Sequence, residues 1–197
     1  MAEERTEKVS RKQQILQALA EMLEQSPGGR ITTAGLAKQV GVSEAALYRH
    51  FPSKARMFDD LIAFIEDTIF SRIKLIVAEE GSTEQKCGQV LHLLLTFTER
   101  NPGITRILTG DPLSGETDRL RIRVAQFFDR FETQLKQILR EAEIRGQAEA
   151  GVDIALAANL MLACVEGRIG QYVRSNFSRT PTSGWDQQWV FLRNAIF

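Results

Sequence analysis

Apolar residues recur every three or four positions along most of the chain. One such stripe runs from Ile15 to Leu23, a second from Phe58 to Ile76 and a third from Phe127 to Leu139. This spacing predicts amphipathic helices with one buried face each. No segment alternates apolar and polar residues for long enough to predict a strand, and clusters of Pro and Gly separate the stripes. We therefore predict an all-α fold of about nine helices.

The segment Arg30–Lys54 combines the signals of two short helices joined by a tight turn. Thr32 or Thr33 can cap the first helix, because a hydroxyl accepts a backbone N–H that the first turn leaves free. Gly41 stands where the chain must turn, and Ser43 can cap the second helix. Two helices joined in this way predict a helix-turn-helix, whose second helix enters the major groove of DNA. The alternative is a helical hairpin that serves only for packing.

The second helix of this unit is short, roughly residues 44–50, and its exposed side would face DNA. The methyl group of Ala45 suits a thymine methyl, and Arg49 could reach a guanine edge or a phosphate. The polar residues around them would fix the register by binding phosphates. The predicted DNA-binding residues are Thr32, Thr33, Ser43, Ala45, Tyr48, Arg49, His50 and Lys54.

Charge is distributed unevenly, although the 197 residues carry a formal net charge of zero. The first 56 residues hold nine basic and six acidic side chains, and the rest of the chain has the opposite excess. The stretch Arg30–Arg56 has five basic residues against Glu44 alone. This local positive charge coincides with the predicted helix-turn-helix and favours the DNA-binding interpretation.

Several chemistries lack the residues that they need. Cys87 and Cys164 lie far apart in the chain, which excludes a disulfide framework and a zinc ribbon. The two histidines, His50 and His92, have no metal-binding spacing, and we expect His92 to be an interior or boundary residue. No set of nucleophile, base and orienting residue can be assembled. We therefore expect no enzymatic activity and no cofactor.

The longest apolar stretch, Ile154–Val165, spans 12 residues, whereas a membrane helix needs roughly 20. The first 12 residues are polar and charged, without the apolar core of a secretory signal. We expect no membrane span and a cytoplasmic location.

Small residues alternate with larger apolar ones between Ile154 and Val173. Together with the apolar face of Phe127–Leu139, they predict a dimer seam of four helices, two from each subunit. The alternative is that this face belongs to the core of a single chain. A homodimer would present two recognition helices about 34 Å apart, which matches successive major grooves.

The sequence A-L-Y-R-H-F-P-S-K at Ala46–Lys54 resembles the signature of the TetR family of DNA-binding proteins. The resemblance implies an N-terminal three-helix DNA-binding domain, residues 1–54, and a larger helical domain for dimerisation and partner binding, residues 55–197. It also implies a homodimer that binds palindromic sites in double-stranded DNA. The family's other common form, kept here as the alternative, is a transcriptional repressor with an enclosed small-molecule pocket between helices four and seven.

Two further segments, Phe97–Gly110 and Tyr172–Phe177, are similar to TetR-family members that act in nucleoid occlusion. This resemblance implies a nucleoid-associated protein that blocks assembly of the division protein FtsZ by binding the FtsZ C-terminal tail between helices four and five. Thr96 and Thr98 replace glycines of those members, which predicts a narrower groove. The matching positions for tail binding are Phe64, Arg72, Leu93, Arg100 and Asn101. The alternative is that Asn101 only caps a helix and that the two arginines are ordinary surface residues.

Overall fold

Nine α-helices make up the part of the chain that the computed structural model describes, residues 10–25, 31–110, 118–146 and 153–197. Their bounds are α1 Arg11–Gln25, α2 Thr33–Val40, α3 Glu44–His50, α4 Lys54–Ala78, α5 Thr83–Arg100, α6 Pro102–Leu108, α7 Asp118–Ile144, α8 Ile154–Arg174 and α9 Trp185–Ile196. The all-α prediction is confirmed. Arg30, the first residue of the predicted helix-turn-helix, lies outside the described residues.

The N-terminal helices pack around one apolar cluster. It is built mainly from the predicted stripes of α1 and α4 and from Leu36 of α2 and Leu47 of α3. Ile107 of α6 and Leu120 of α7 also belong to this cluster. The core of the N-terminal helices therefore continues into later parts of the chain, and the domain boundary at residue 54 stays a prediction.

Helix α5 lies at the centre of the second cluster and contacts α4, α7, α8 and α9. Val90, Leu91 and Leu94 have no exposed surface. The expectation for His92 was wrong, because this side chain is exposed. It lines an open groove between the end of α4 and the start of α9.

The Phe127–Leu139 face does not form a dimer seam. Phe127, Phe131 and Leu135 are completely buried inside the chain, so the alternative of an intrachain core is correct. The spacing of apolar residues identified this face of α7 as buried, but it could not show whether the same chain or a second copy covers it. The outer side of α8 remains exposed instead, with Leu156 at 70% and Leu160 at 47% relative accessibility.

A buried carboxylate ties α4 to α7. Asp59 is only 6% exposed, and it accepts hydrogen bonds from Arg119 at 2.9 Å and Arg123 at 2.7 Å. Arg123 also pairs with Glu66, two helical turns further along the same face of α4. Since α4 begins in the helix-turn-helix region and α7 belongs mainly to the second cluster, these ion pairs fix the orientation of one part of the molecule against the other.

Candidate functional site

The helix-turn-helix has the caps that the sequence predicted. The Thr32 hydroxyl accepts the N–H of Gly35 at 3.1 Å, and the Ser43 hydroxyl accepts the N–H of Ala46 at 3.2 Å. Gly41 adopts the left-handed conformation, with φ of 73°, which a residue with a side chain adopts only with strain. The geometry between α2 and α3 is therefore fixed by local hydrogen bonds.

Helix α3 is oriented by a single deeply buried side chain. Leu47 has no exposed surface and packs among residues of α1, α2 and α4. Because Leu47 points inward, Ala45 and Arg49 are exposed on the opposite side of the short helix, and His50 is exposed at its end. This is the arrangement that a recognition helix needs, with small and basic side chains free to meet another molecule.

A hydrogen-bonded chain links the half-buried Thr33 of α2 to two exposed polar residues of α3. The Tyr48 hydroxyl donates to Thr33 Oγ1 at 3.4 Å, and the Thr33 hydroxyl donates to Glu44 Oε2 at 2.9 Å. Sequence reasoning placed Thr33 and Tyr48 in the interface but did not foresee that Glu44 holds them. The chain orients both hydroxyl groups in the free protein.

The remaining predicted DNA-binding residue, Lys54, lies at the first position of α4. Its ammonium group is 5.4 Å from the centre of the Phe58 ring, which limits the directions that the side chain can take. Ser53 caps α4 by accepting the N–H of Arg56 at 3.1 Å. The predicted interface therefore comprises the start of α2, the outer side of α3 and the start of α4, which share one apolar cluster.

The residues predicted to bind a peptide lie along neighbouring helices. Phe64 on α4 is 47% exposed, and its ring centre is 6.4 Å from that of Phe97 on α5. Arg72 is exposed two turns further along α4, and Arg100 is exposed at the end of α5. Asn101 caps α5, and its side-chain amide donates to the carbonyl of Phe97 at 2.8 Å. Asn101 therefore has the helix-capping role that the sequence analysis gave as the alternative to tail binding.

An open groove of about 790 Å³ runs over the exposed face of α5. Leu93, one of the predicted residues, lines it, whereas the other four do not. Thr96 also lines the groove. Thr98 has no exposed surface and donates to the carbonyl of Leu95 at 2.9 Å, so the expectation that Thr98 narrows the groove was wrong.

Tyr172 of α8 and Thr182, which lies between α8 and α9, brace the end of α5. Glu99 accepts hydrogen bonds from both the N–H and the hydroxyl of Thr182, and its backbone carbonyl accepts the Tyr172 hydroxyl at 3.1 Å. Burial raises the pKa of Tyr172, and the nearby carboxylates of Glu99 and Glu24 raise it further. Glu99 and Tyr172 lie in the segments Phe97–Gly110 and Tyr172–Phe177, but the sequence predicted no role for Glu99.

Helix α6 connects the end of α5 to α1. Asn101 begins α6, and Arg106 within it is almost completely buried and donates to the carbonyl of Leu23 in α1 at 2.6 Å. Gly103 lies so close to α1 that an added Cβ would stand 2.0 Å from the backbone oxygen of Ala20. No sequence pattern pointed to this contact.

Aromatic side chains occupy the core between α4 and α7. The ring centre of Phe70 lies 5.6 Å from that of Phe127, and the Phe127 and Phe131 centres are 6.4 Å apart. A transcriptional repressor with an enclosed small-molecule pocket, the alternative function, would need its pocket at this place, between α4 and α7. That alternative stays a prediction.

The described residues contain no group of three or more His, Cys, Asp or Glu side chains arranged to hold a metal ion. None of the nine described helices is both long and apolar enough to cross a membrane.

Two family sequence profiles match the chain. The profile "Bacterial regulatory proteins, tetR family" matches residues 15–61, and the SlmA-like profile "Tetracyclin repressor-like, C-terminal domain" matches residues 81–196.

Two proteins named nucleoid occlusion factor SlmA are similar to this chain over nearly their whole length. Nucleoid occlusion factor SlmA of Shewanella amazonensis is 59% identical over 190 residues, which cover 96% of each chain. The SlmA of Alteromonas mediterranea is 59% identical over 186 residues, covering 94% of this chain and 95% of that one. Among solved structures, the TetR-family transcriptional regulator PfmR of Thermus thermophilus superposes with a TM-score of 0.74 at 21% identity, covering 91% of this chain and 97% of PfmR. This last likeness shows the fold alone.

Proposed function

We propose that this chain, which belongs to the TetR family and to its SlmA-like group, is a nucleoid occlusion factor. It acts as a DNA-bound homodimer. While bound to chromosomal sites, it engages the C-terminal tail of FtsZ and blocks assembly of the division ring. Residues 1–54 bind DNA, and residues 55–197 dimerise and bind the tail. The protein acts in the cytoplasm, on the nucleoid.

The observation that carries the DNA-binding part is the orientation of α3. Burial of Leu47 turns Ala45 and Arg49 outward, so Ala45 can approach a thymine methyl while Arg49 reaches guanine or a phosphate. The hydroxyl groups of Thr33 and Tyr48 are already oriented by Glu44. The other contacts, which fix the register on phosphates, are made by Thr32, Ser43, His50 and Lys54.

Two exposed features support tail binding near the end of α5. Phe64 presents nearly half of its surface beside Phe97, which offers an apolar contact for a partner side chain. Arg72 and Arg100 supply positive charge, and Arg binds carboxylates in bidentate geometry. Leu93 extends the apolar surface, and Asn101 holds the helix end in place.

The exposed outer face of α8 supports the dimer. Leu156 and Leu160 are one helical turn apart, and Ala163 and Gly167 continue the same exposed stripe. Small residues following large ones allow another helix to approach closely. Pairing of this face with a second copy would bring two α3 helices onto one side of DNA.

Two structural connections allow the DNA and tail sites to influence each other. Helix α4 runs from Lys54 in the DNA interface past Phe64, and α6 joins Asn101 to α1. Any coupling must be reciprocal, so DNA and the tail change each other's affinity by the same factor.

Fluorescence anisotropy of a labelled FtsZ tail peptide tests the proposal. We expect saturable binding to the protein, with an affinity that changes when a DNA fragment carrying its binding site is added. Failure of the peptide to bind with or without DNA would refute the tail-binding part, whereas binding that ignores DNA would refute the coupling.

A further inference from the structure

The open groove over α5 extends beyond the residues predicted to bind the tail. Helix α5 forms its floor, the end of α4 one wall and the start of α9 the other. The floor runs from Gln85 to Thr96, and Arg100 lies one turn beyond Thr96 on the same side of α5. The groove and the predicted tail site therefore form one continuous surface, with Leu93 common to both.

The far wall of this groove consists of two tryptophans. The rings of Trp185 and Trp189 are stacked, with centres 6.3 Å apart and an angle of 27° between their planes. Trp189 rests directly on α5, because a Cβ added to Gly88 would lie 2.9 Å from its Nε1. Because Gly88 has no side chain, the Trp189 ring can lie against α5 and form part of the groove wall.

The end of the groove far from Arg100 is acidic. Glu80 lines this end and is exposed. A second exposed carboxylate, Asp186, lies on the opposite wall nearer to the middle of α5, because α9 runs antiparallel to α5. The structure gives neither carboxylate a basic partner within the described residues, whereas the nearby Glu84 is paired with Arg193 at 2.6 Å. Exposed carboxylates attract cationic side chains by charge, and the partly buried Trp189 adds an aromatic face. Trp185 is 2% exposed and already has Arg168 over its ring.

One buried hydroxyl on the floor also lacks a partner. Thr96 Oγ1 has almost no accessible surface and no hydrogen-bond partner among the described residues. A buried hydroxyl without a partner is unfavourable, so a bound segment that supplies a hydrogen bond here is favoured.

We infer that this groove receives a second part of the same FtsZ tail, and that this part carries at least one Lys or Arg side chain. The inference rests on the proposed function. The tail binds in extended form, with its acidic and apolar part at Arg100 and Phe64. Its basic part lies further along the groove, where first Asp186 and then Glu80 line the walls. Fifteen residues of α5 separate Arg100 from Gln85, a rise of about 22 Å. About seven residues of extended chain span that length.

The two tryptophans of the chain both line this groove, so intrinsic fluorescence reports on its occupancy. The experiment titrates a fluorescein-labelled FtsZ tail peptide without tryptophan into the full-length protein, and follows peptide anisotropy. A parallel titration with unlabelled peptide follows tryptophan emission. Glu80→Lys is compared with Glu79→Lys, which makes the same charge change at an exposed neighbour that does not line the groove.

We expect peptide binding to shift tryptophan emission, and Glu80→Lys to weaken the affinity about fivefold while Glu79→Lys leaves it nearly unchanged. A peptide whose Lys and Arg residues are replaced by Gln should lose affinity for the parent and become insensitive to Glu80→Lys. Binding of the original peptide with unchanged emission and equal affinities of the two variants overturns this inference and leaves the proposed function intact. Absence of any peptide binding overturns both.

Discussion

Arg106 of α6 donates a hydrogen bond of 2.6 Å to the backbone carbonyl of Leu23, at the end of α1. The guanidinium is 2% exposed, and the two residues are 83 positions apart in the chain. This contact joins the helix that follows the predicted tail-binding residues to the first helix of the DNA-binding region. It gives the proposed coupling a physical connection that is independent of α4.

Arg106→Met should weaken that connection. Loss of the hydrogen bond and of the buried guanidinium should lower the free energy of unfolding by about 1–3 kcal/mol. The factor by which tail peptide changes DNA affinity should move toward one. Thermal unfolding and paired DNA titrations, with and without saturating peptide, measure both effects. Arg121→Met, which removes an exposed arginine of α7, is the control and should change neither.

Arg49→Ala should weaken DNA binding while leaving tail binding unchanged. If Arg49 contacts a phosphate, the slope of log affinity against log salt concentration should fall by about one. If it contacts guanine, discrimination at that base pair should drop by about 1–3 kcal/mol. Lys38→Ala removes an exposed basic residue of α2 that lies outside the predicted interface. Equal losses for the two variants would indicate a diffuse charge effect and would contradict the assigned role of Arg49.

Leu160→Glu should break the dimer by placing a charge on the exposed apolar face of α8. Light scattering coupled to size exclusion should show a mass near 22.2 kDa for the variant and about twice that for the parent. Affinity for a palindromic site should fall together with the dimer. Ile122→Glu makes the same kind of change on an exposed side chain near the start of α7. A monomeric parent protein would contradict the proposal directly.

Glu99→Ala should loosen the end of α5 by removing the acceptor for Thr182. We expect several-fold weaker tail binding and unchanged DNA affinity, because Arg100 follows Glu99 directly. Glu99→Gln keeps a side-chain oxygen as acceptor and should restore most of the affinity. If the Gln variant is as weak as the Ala variant, the carboxylate charge matters rather than its positioning role.

The raised pKa of Tyr172 predicts a loss of stability at alkaline pH. The folded protein holds this proton to higher pH than the unfolded chain, whose phenol titrates near pH 10. The stabilisation is therefore complete below about pH 10 and is lost as the pH rises through the folded-state pKa. Unfolding midpoints from pH 8 to 11 should fall less steeply for Tyr172→Phe than for Tyr48→Phe. Identical slopes for the two variants would contradict the assignment.

Local signals in the sequence were sufficient for the fold and for the helix-turn-helix. The hydroxyl caps at Thr32 and Ser43 and the left-handed turn at Gly41 involve residues only a few positions apart, so their spacing determines them. The burial of Leu47 follows from helical periodicity in the same way.

Contacts between distant helices could not be predicted from spacing. Glu44 accepts a hydrogen bond from Thr33 across the turn between α2 and α3. Glu99 accepts hydrogen bonds from Thr182, which lies 83 positions away in the chain. Periodicity marked Phe127 as buried but could not say whether a second copy or the same chain covers it. Periodicity also failed to predict that His92 is exposed. Whether a face of α5 is covered depends on how the other helices pack around it, which the spacing of apolar residues does not reveal.

Light scattering of assembling FtsZ polymers, with the protein and a DNA fragment carrying its site, tests the central claim most directly. We predict that the protein with DNA lowers the scattering, and that Arg49→Ala loses this effect of DNA. Arg100→Ala should still bind the DNA but leave the polymers intact. Scattering that stays unchanged when DNA-bound parent protein is added would contradict the account.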